Sequence, residues 1–76
     1  RGEIMALTEI QKEIVAGVLE RKSNEEIADK LHYSKGKIKK ELEKIYKFFK
    51  IKGDAASKRQ ALVMEVTKIE LTNLMM

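Results

Sequence analysis

A hydroxyl residue stands at the head of every apolar, helix-spaced segment of this chain, and no proline interrupts any of those segments. Thr8 precedes Gln11 by three residues, Ser23 precedes Glu26, and Ser57 precedes Gln60. Each pair has the capping-box spacing, in which the hydroxyl and the longer polar side chain satisfy orphan N–H groups of a helix start reciprocally. Ser34 reads as a further cap. Behind these caps lie Ile10, Ile14, Val15, Val18 and Leu19, then Ile27, Ala28 and Leu31, then Ile38, Leu42, Ile45 and Phe49, then Ala61, Leu62, Met64 and Val66. The 3–4 residue rhythm predicts an all-α, four-helix chain with helices over about 9–20, 24–31, 35–49 and 58–68. Leu7 is placed to pack back onto the first helix. Ile51 to Ala56, around Gly53-Asp54, reads as a loop. The tail from Glu70 either extends the fourth helix or awaits a partner.

With 76 residues there is room for one domain and a thin core. We assign the domain to residues 7–68, a linker end to 1–6 and a C-terminal tail to 69–76. The chain lacks cysteine and has one histidine, so neither a disulfide nor an ordinary zinc site is expected. There is no nucleophile–base pairing and no glycine-rich phosphate loop, so we expect no catalytic residues, no cofactor and no enzyme activity. No apolar run approaches the roughly 20 residues needed to cross a bilayer. A cytoplasmic protein without membrane contact is the expectation. Arg1 in place of methionine reads as the edge of a longer protein.

The charge is concentrated. Residues 35–52 carry eight lysines against Glu41 and Glu43, whereas the chain as a whole carries only +4. A local basic surface of this kind is what a nucleic-acid contact requires, although a solvated lysine face gives the same pattern. Two short helices joined by a three-residue turn, the second the more basic, fit a helix-turn-helix. In that arrangement the stripe Ile38–Leu42–Ile45–Phe49 faces inward and the lysines face outward. Such a helix fits the major groove of duplex DNA. Ala28 is small where the second and third helices cross.

At this point the sequence resembles a known family. Leu7-Thr8, Glu13, the run Ser23-Asn24-Glu25-Glu26-Ile27-Ala28-Asp29-Lys30-Leu31, Ser34, Ile38-Lys39, Ile45 and Arg59-Gln60-Ala61 are similar to the LuxR-type C-terminal DNA-binding domain, also found in NarL/FixJ response regulators. The match covers about residues 7–66. Sigma factors carry a similar helix-turn-helix, but the Arg-Gln-Ala of the fourth helix favours the LuxR type. The resemblance implies double-stranded DNA as partner, read by the third helix, and a homodimer formed through the fourth. It also implies a bacterial transcription regulator with an N-terminal receiver or sensory domain, the output half of a two-component system. Departures are Lys37 where threonine is usual, Glu41 where histidine is common, Ile10-Gln11 for an Arg-Glu pair, and a longer loop from Lys52 to Ser57.

The candidate DNA contacts are therefore Lys35, Lys37, Lys39, Lys40, Glu43, Lys44, Asn24 and Ser34. Lys39 and Lys40 point outward early in the third helix. Lys35, Lys37 and Lys44 suit phosphates, being mobile point charges. Glu43 either accepts from cytosine N4 or repels phosphate. Asn24 either contacts phosphate or serves the cap of its own helix, the second being favoured. Lys47, Lys50 and Lys52 divide evenly between phosphate and solvent. Gly36 costs helix propensity, but its missing side chain permits close approach of another surface. Tyr33 reads as a plug in the turn, and Tyr46, Phe48 and Phe49 as core. Val63, Met64, Val66 and Thr67 are the expected dimer surface, with packing beneath residues 71–76 as the other account. A protein-interaction module on the same fold is the alternative function, motivated by Glu41 and Glu43 on the reading face and by the apolar fourth helix.

Overall fold

The computed structural model describes residues 6–75, with side-chain surroundings through Ile69. Four helices succeed one another: α1 Glu9–Leu19, α2 Asn24–Leu31, α3 Lys35–Phe48 and α4 Ala55–Met75. There is no strand among the described residues. The expected linker end at 1–6 falls outside the described residues except for Ala6.

Three of the four starts are built as the hydroxyl pattern predicts. Thr8 Oγ1 accepts from the Gln11 N–H at 3.2 Å, and Gln11 Oε1 accepts from the Thr8 N–H at 3.1 Å. Ser23 and Glu26 form the same reciprocal pair, at 3.1 and 2.9 Å. These bonds hold the Glu26 carboxyl below its ordinary range. Ser34 Oγ accepts from the Lys37 N–H at 3.1 Å.

The fourth start differs. Asp54, not Ser57, takes the capping role: its Oδ1 accepts from the Ser57 N–H at 2.8 Å. That bond lowers the Asp54 carboxyl from its ordinary value. Aspartate caps as well as serine does, and Ala55 and Ala56 behind it have high helix propensity. The helix accordingly gains a turn at its front. At its back it continues to Met75, so the residues after 69 prolong α4.

The ends of α1, α2 and α3 obey one rule. Arg21, His32 and Lys50 each adopt left-handed backbone, with φ of 63°, 63° and 58°. After each, the chain folds back with the bond pair of a Schellman motif. Lys22 N–H reaches Gly17 O while Arg21 N–H reaches Val18 O; Tyr33 reaches Ala28 while His32 reaches Asp29; Ile51 reaches Tyr46 while Lys50 reaches Lys47. Glycine usually occupies this position because other residues pay a steric cost there.

The core is one cluster drawn from all four helices: Ile14, Val15 and Val18 of α1, Ile27 and Ala28 of α2, Ile38, Leu42, Ile45 and Tyr46 of α3, Leu62 and Val66 of α4, with Leu7 closing it from before α1. α3 packs on both α1 and α2, and α4 packs on α1. Gly17 sets the distance between α1 and α2. A Cβ there would lie 2.7 Å from Ile27 Cγ1, so the buried Ile27 side chain would have to shift to admit it.

Two aromatic residues correct the expectation. Tyr33 is exposed in the α2–α3 turn. Phe48 is 41% exposed and meets Phe49 edge-on, with ring centroids 5.0 Å apart. Only Phe49 of that pair packs against the core.

Candidate nucleic-acid interface

α3 presents its surface by simple helical geometry. Ile38, Leu42 and Ile45 occupy the buried side. Gly36, Lys40, Glu43 and Lys47, stepping by four, three and four, therefore form the outward spine. Lys39 flanks this spine on one side, and Lys37 and Lys44 flank it on the other. All of these residues except the buried stripe are exposed. Lys35 opens the helix beside the Ser34 cap.

The lysines are not equivalent. Glu41, expected on the reading face, is buried, with 5% of its surface exposed. Its Oε1 accepts from Gln11 Nε2 at 3.0 Å and its Oε2 from Lys37 Nζ at 3.1 Å, while Lys44 Nζ lies 3.7 Å away. The Lys37 hydrogen bond and then the Gln11 bond hold this carboxyl below its ordinary value, against the opposing effect of burial. Gln11 thus joins the α1 cap to α3 through one side chain. Among the described residues, Lys35, Lys39, Lys40, Lys47, Lys50 and Lys52 have no acid partner, whereas Lys37 and Lys44 share Glu41.

Glu43 is held from another helix. Lys58 Nζ of α4 lies 3.4 Å from both of its carboxylate oxygens. The same ammonium sits 5.1 Å from the centre of the Tyr46 ring, within cation–π range. Tyr46 is buried, and this desolvation raises its hydroxyl pKa.

Asn24 is half-buried at the first position of α2. Its Oδ1 accepts from Arg59 Nη1 at 2.6 Å, and Arg59 Nη2 also donates to the Lys22 carbonyl. Arg59 therefore fastens the start of α4 to the α1–α2 turn. Asn24, Lys39, Glu43, Lys58 and Arg59 line a single cleft where α2, α3 and α4 meet. Sequence reasoning sees Arg59 only as part of a motif, Gln11 only as the cap partner of Thr8, and assigns no role to Lys58. Their long-range partners lie 15 to 37 residues away, a separation at which spacing carries no signal.

Gly36 meets no intramolecular obstacle. A Cβ there would find only Ser34 Oγ, at 3.9 Å. Nothing inside the domain requires glycine at this point of the outward spine.

The expected dimer surface needs correction. Val66 is 1% exposed and belongs to the core, one turn after the buried Leu62. Val63 is half-buried against that core. Met64, at 61% exposed, and Thr67 face outward together with Gln60. The outward stripe of α4 is thus Gln60–Met64–Thr67.

No helix among the described residues is long and apolar enough to cross a membrane. No group of three or more His, Cys, Asp or Glu among them is arranged to hold a metal ion.

A short helix and a longer one at a tight turn, the second basic outside and apolar inside, braced by flanking helices, define a helix-turn-helix domain. A family model described as the N-terminal helix-turn-helix of vWA-MoxR associated proteins matches residues 4–69, and the chain belongs to that family. No curated protein and no solved structure matches the chain.

Proposed function

We propose that this chain binds duplex DNA sequence-specifically, with α3 in the major groove, as the regulatory element of a bacterial vWA-MoxR associated protein. The observation that carries the reading is the outward side of α3. It holds Lys35, Lys39, Lys40 and Lys47 without acid partners among the described residues, on a helix whose opposite side is fixed in the core. Phosphate contacts from such residues supply affinity and orientation. Lys37 and Lys44 add to the field while sharing Glu41. Ser34 and Asn24 stand at the two helix starts nearest the expected phosphate path. The activity is binding without catalysis, in the cytoplasm where the DNA is.

The finer placement as the output domain of a two-component response regulator rests on the LuxR-type resemblance. The family description sets the helix-turn-helix at the N terminus of its protein, and we adopt that placement over one behind a receiver domain. A homodimer through α4 remains part of the proposal, with Met64 and Thr67 beside Gln60 as its contact. Two copies so joined would present their α3 helices to half-sites of an inverted repeat about one helical turn apart.

Selection of a randomised duplex library with the purified chain tests the proposal. Enrichment of an inverted repeat, with a log–log salt slope of roughly −0.9 per phosphate contacted, is the expected result. Absence of duplex binding at low salt by the folded chain would overturn it. The second reading, a protein-interaction module, is favoured by the exposure of Tyr33, Phe48 and Met64. Burial of Glu41 removes one of the two acids that motivate it. Failure of duplex binding would leave that reading in place.

A further inference from the structure

We infer that Glu43 is the specificity-determining residue of α3 and that it selects cytosine at one position of the bound duplex. The inference rests on the DNA-binding reading above. Of the four spine positions, Gly36 has no side chain and Lys40 and Lys47 end in mobile ammonium groups. Glu43 alone on the spine is fixed by another element. Lys58 reaches both of its oxygens, and Lys58 is itself held, 18% exposed, against the Tyr46 ring. A base reader needs this preorganisation, because a side chain that must first be ordered loses rotamer entropy on binding.

The charge surroundings point the same way. A carboxylate entering a groove lined by phosphates is unfavourable unless it receives hydrogen bonds there. Lys39, Lys40 and Lys47 are the helical neighbours of Glu43 at three and four residues, and Lys58 adds a fourth cation from α4. The acid therefore sits inside a net positive surface. A carboxylate has about four lone-pair sites, so an acceptor remains after Lys58 is bound. In the major groove the donors available to it are the amino groups of cytosine and adenine. Adenine presents an acceptor, N7, beside its amino group, which a carboxylate cannot satisfy and would repel. Cytosine has no such acceptor, so it is the base selected. Glu41, the other acid of α3, is buried and plays no part in this choice.

Glu43→Gln is the decisive variant. An amide of the same shape still accepts from Lys58 and can pair with both N6 and N7 of adenine. Library selection with the wild-type chain should return one position per half-site at which cytosine is preferred by roughly 5- to 100-fold. Glu43→Gln should move that preference to adenine and leave every other position unchanged. Lys58→Met should broaden the same position only. A merely structural Glu43–Lys58 tie would lower thermal stability in both variants without altering any base preference, and that result overturns the inference while the DNA-binding reading survives. If the wild-type chain enriches no sequence, both fall together.

Discussion

The two flanks of α3 carry the same residue type and differ in what lies behind them. On one flank, Lys37 and Lys44 turn toward Glu41, whose buried carboxylate also accepts from Gln11. On the other flank and along the spine, Lys39, Lys40 and Lys47 have no acid partner among the described residues. A lysine that already neutralises an acid contributes less to a phosphate footprint than one surrounded by water and counterions. Counting lysines between residues 35 and 52 therefore overstates the usable charge, and the pairing decides which of them matter.

The strongest way to break this comparison is to remove the unpaired side. The double variant Lys39→Ala/Lys40→Ala should lose about 100-fold in duplex affinity near physiological salt, with the salt slope falling by about 1.8. Lys37→Ala/Lys44→Ala should lose only several-fold, with a smaller change of slope. Equal losses in fluorescence-anisotropy titrations would show that Glu41 does not restrain its two lysines.

Gly36→Ala probes the spine between the flanks. Its Cβ would meet only Ser34 Oγ, at an ordinary van der Waals distance of 3.9 Å, so the substitution should stabilise α3 by about 0.5–1 kcal/mol. If the duplex approaches the helix there, the same methyl should weaken binding by about tenfold. A rise in melting temperature with unchanged affinity would move the contact away from the first turn of α3.

Glu41→Gln sharpens the comparison from below. Because the folded carboxyl is held under its ordinary value of 4.5, its contribution to stability is complete above that value and is lost as pH falls through the lower folded one. The variant should cost about 1 kcal/mol at neutral pH, in line with a charge-assisted hydrogen bond made at a half-exposed lysine. It should also lose less additional stability on acidification than the parent, although Glu26 and Asp54, likewise lowered, keep part of the acid sensitivity. Urea titrations at neutral pH and near pH 3 separate these effects, and parallel losses in the two proteins would deny Glu41 its role.

How much of the molecule is legible in the sequence depends on the range of the interactions. Thr8, Ser23 and Ser34 announce their helices because a cap and its N–H partner lie three residues apart. Asp54 escapes for a local reason: Ser57 offers an equally good pattern, and the two alanines that lengthen α4 carry no cap signature. The outward lysines are implied by the inward stripe Ile38–Leu42–Ile45. Burial of Glu41, the reach of Arg59 to Asn24, the Lys58 tie to Glu43 and the close fit of Gly17 against Ile27 depend on how helices meet, and no spacing rule encodes them. Helix ends are hidden for another reason. The expected marker is glycine, and this chain uses Arg21, His32 and Lys50 in its place.

That substitution of lysine for glycine yields the mildest test, at the far end of the same basic surface. Lys50 holds left-handed backbone while carrying one of the unpaired charges beyond α3. Glycine would relieve a conformation that costs an ordinary residue about 1–2 kcal/mol, part of which returns as greater freedom of the unfolded chain. Lys50→Gly should therefore gain about 0.5–1 kcal/mol, a few degrees in melting temperature for a domain of this size. Lacking an acid partner is necessary for a strong phosphate contact but is not sufficient, since the charge must also lie along the groove. Lys50 sits at the left-handed turn that carries the chain away from the α3 axis, so its loss should change duplex affinity less than twofold. A loss as large as that of Lys40→Ala alone would extend the DNA footprint past the end of α3 and make position, rather than pairing, the weaker of the two criteria.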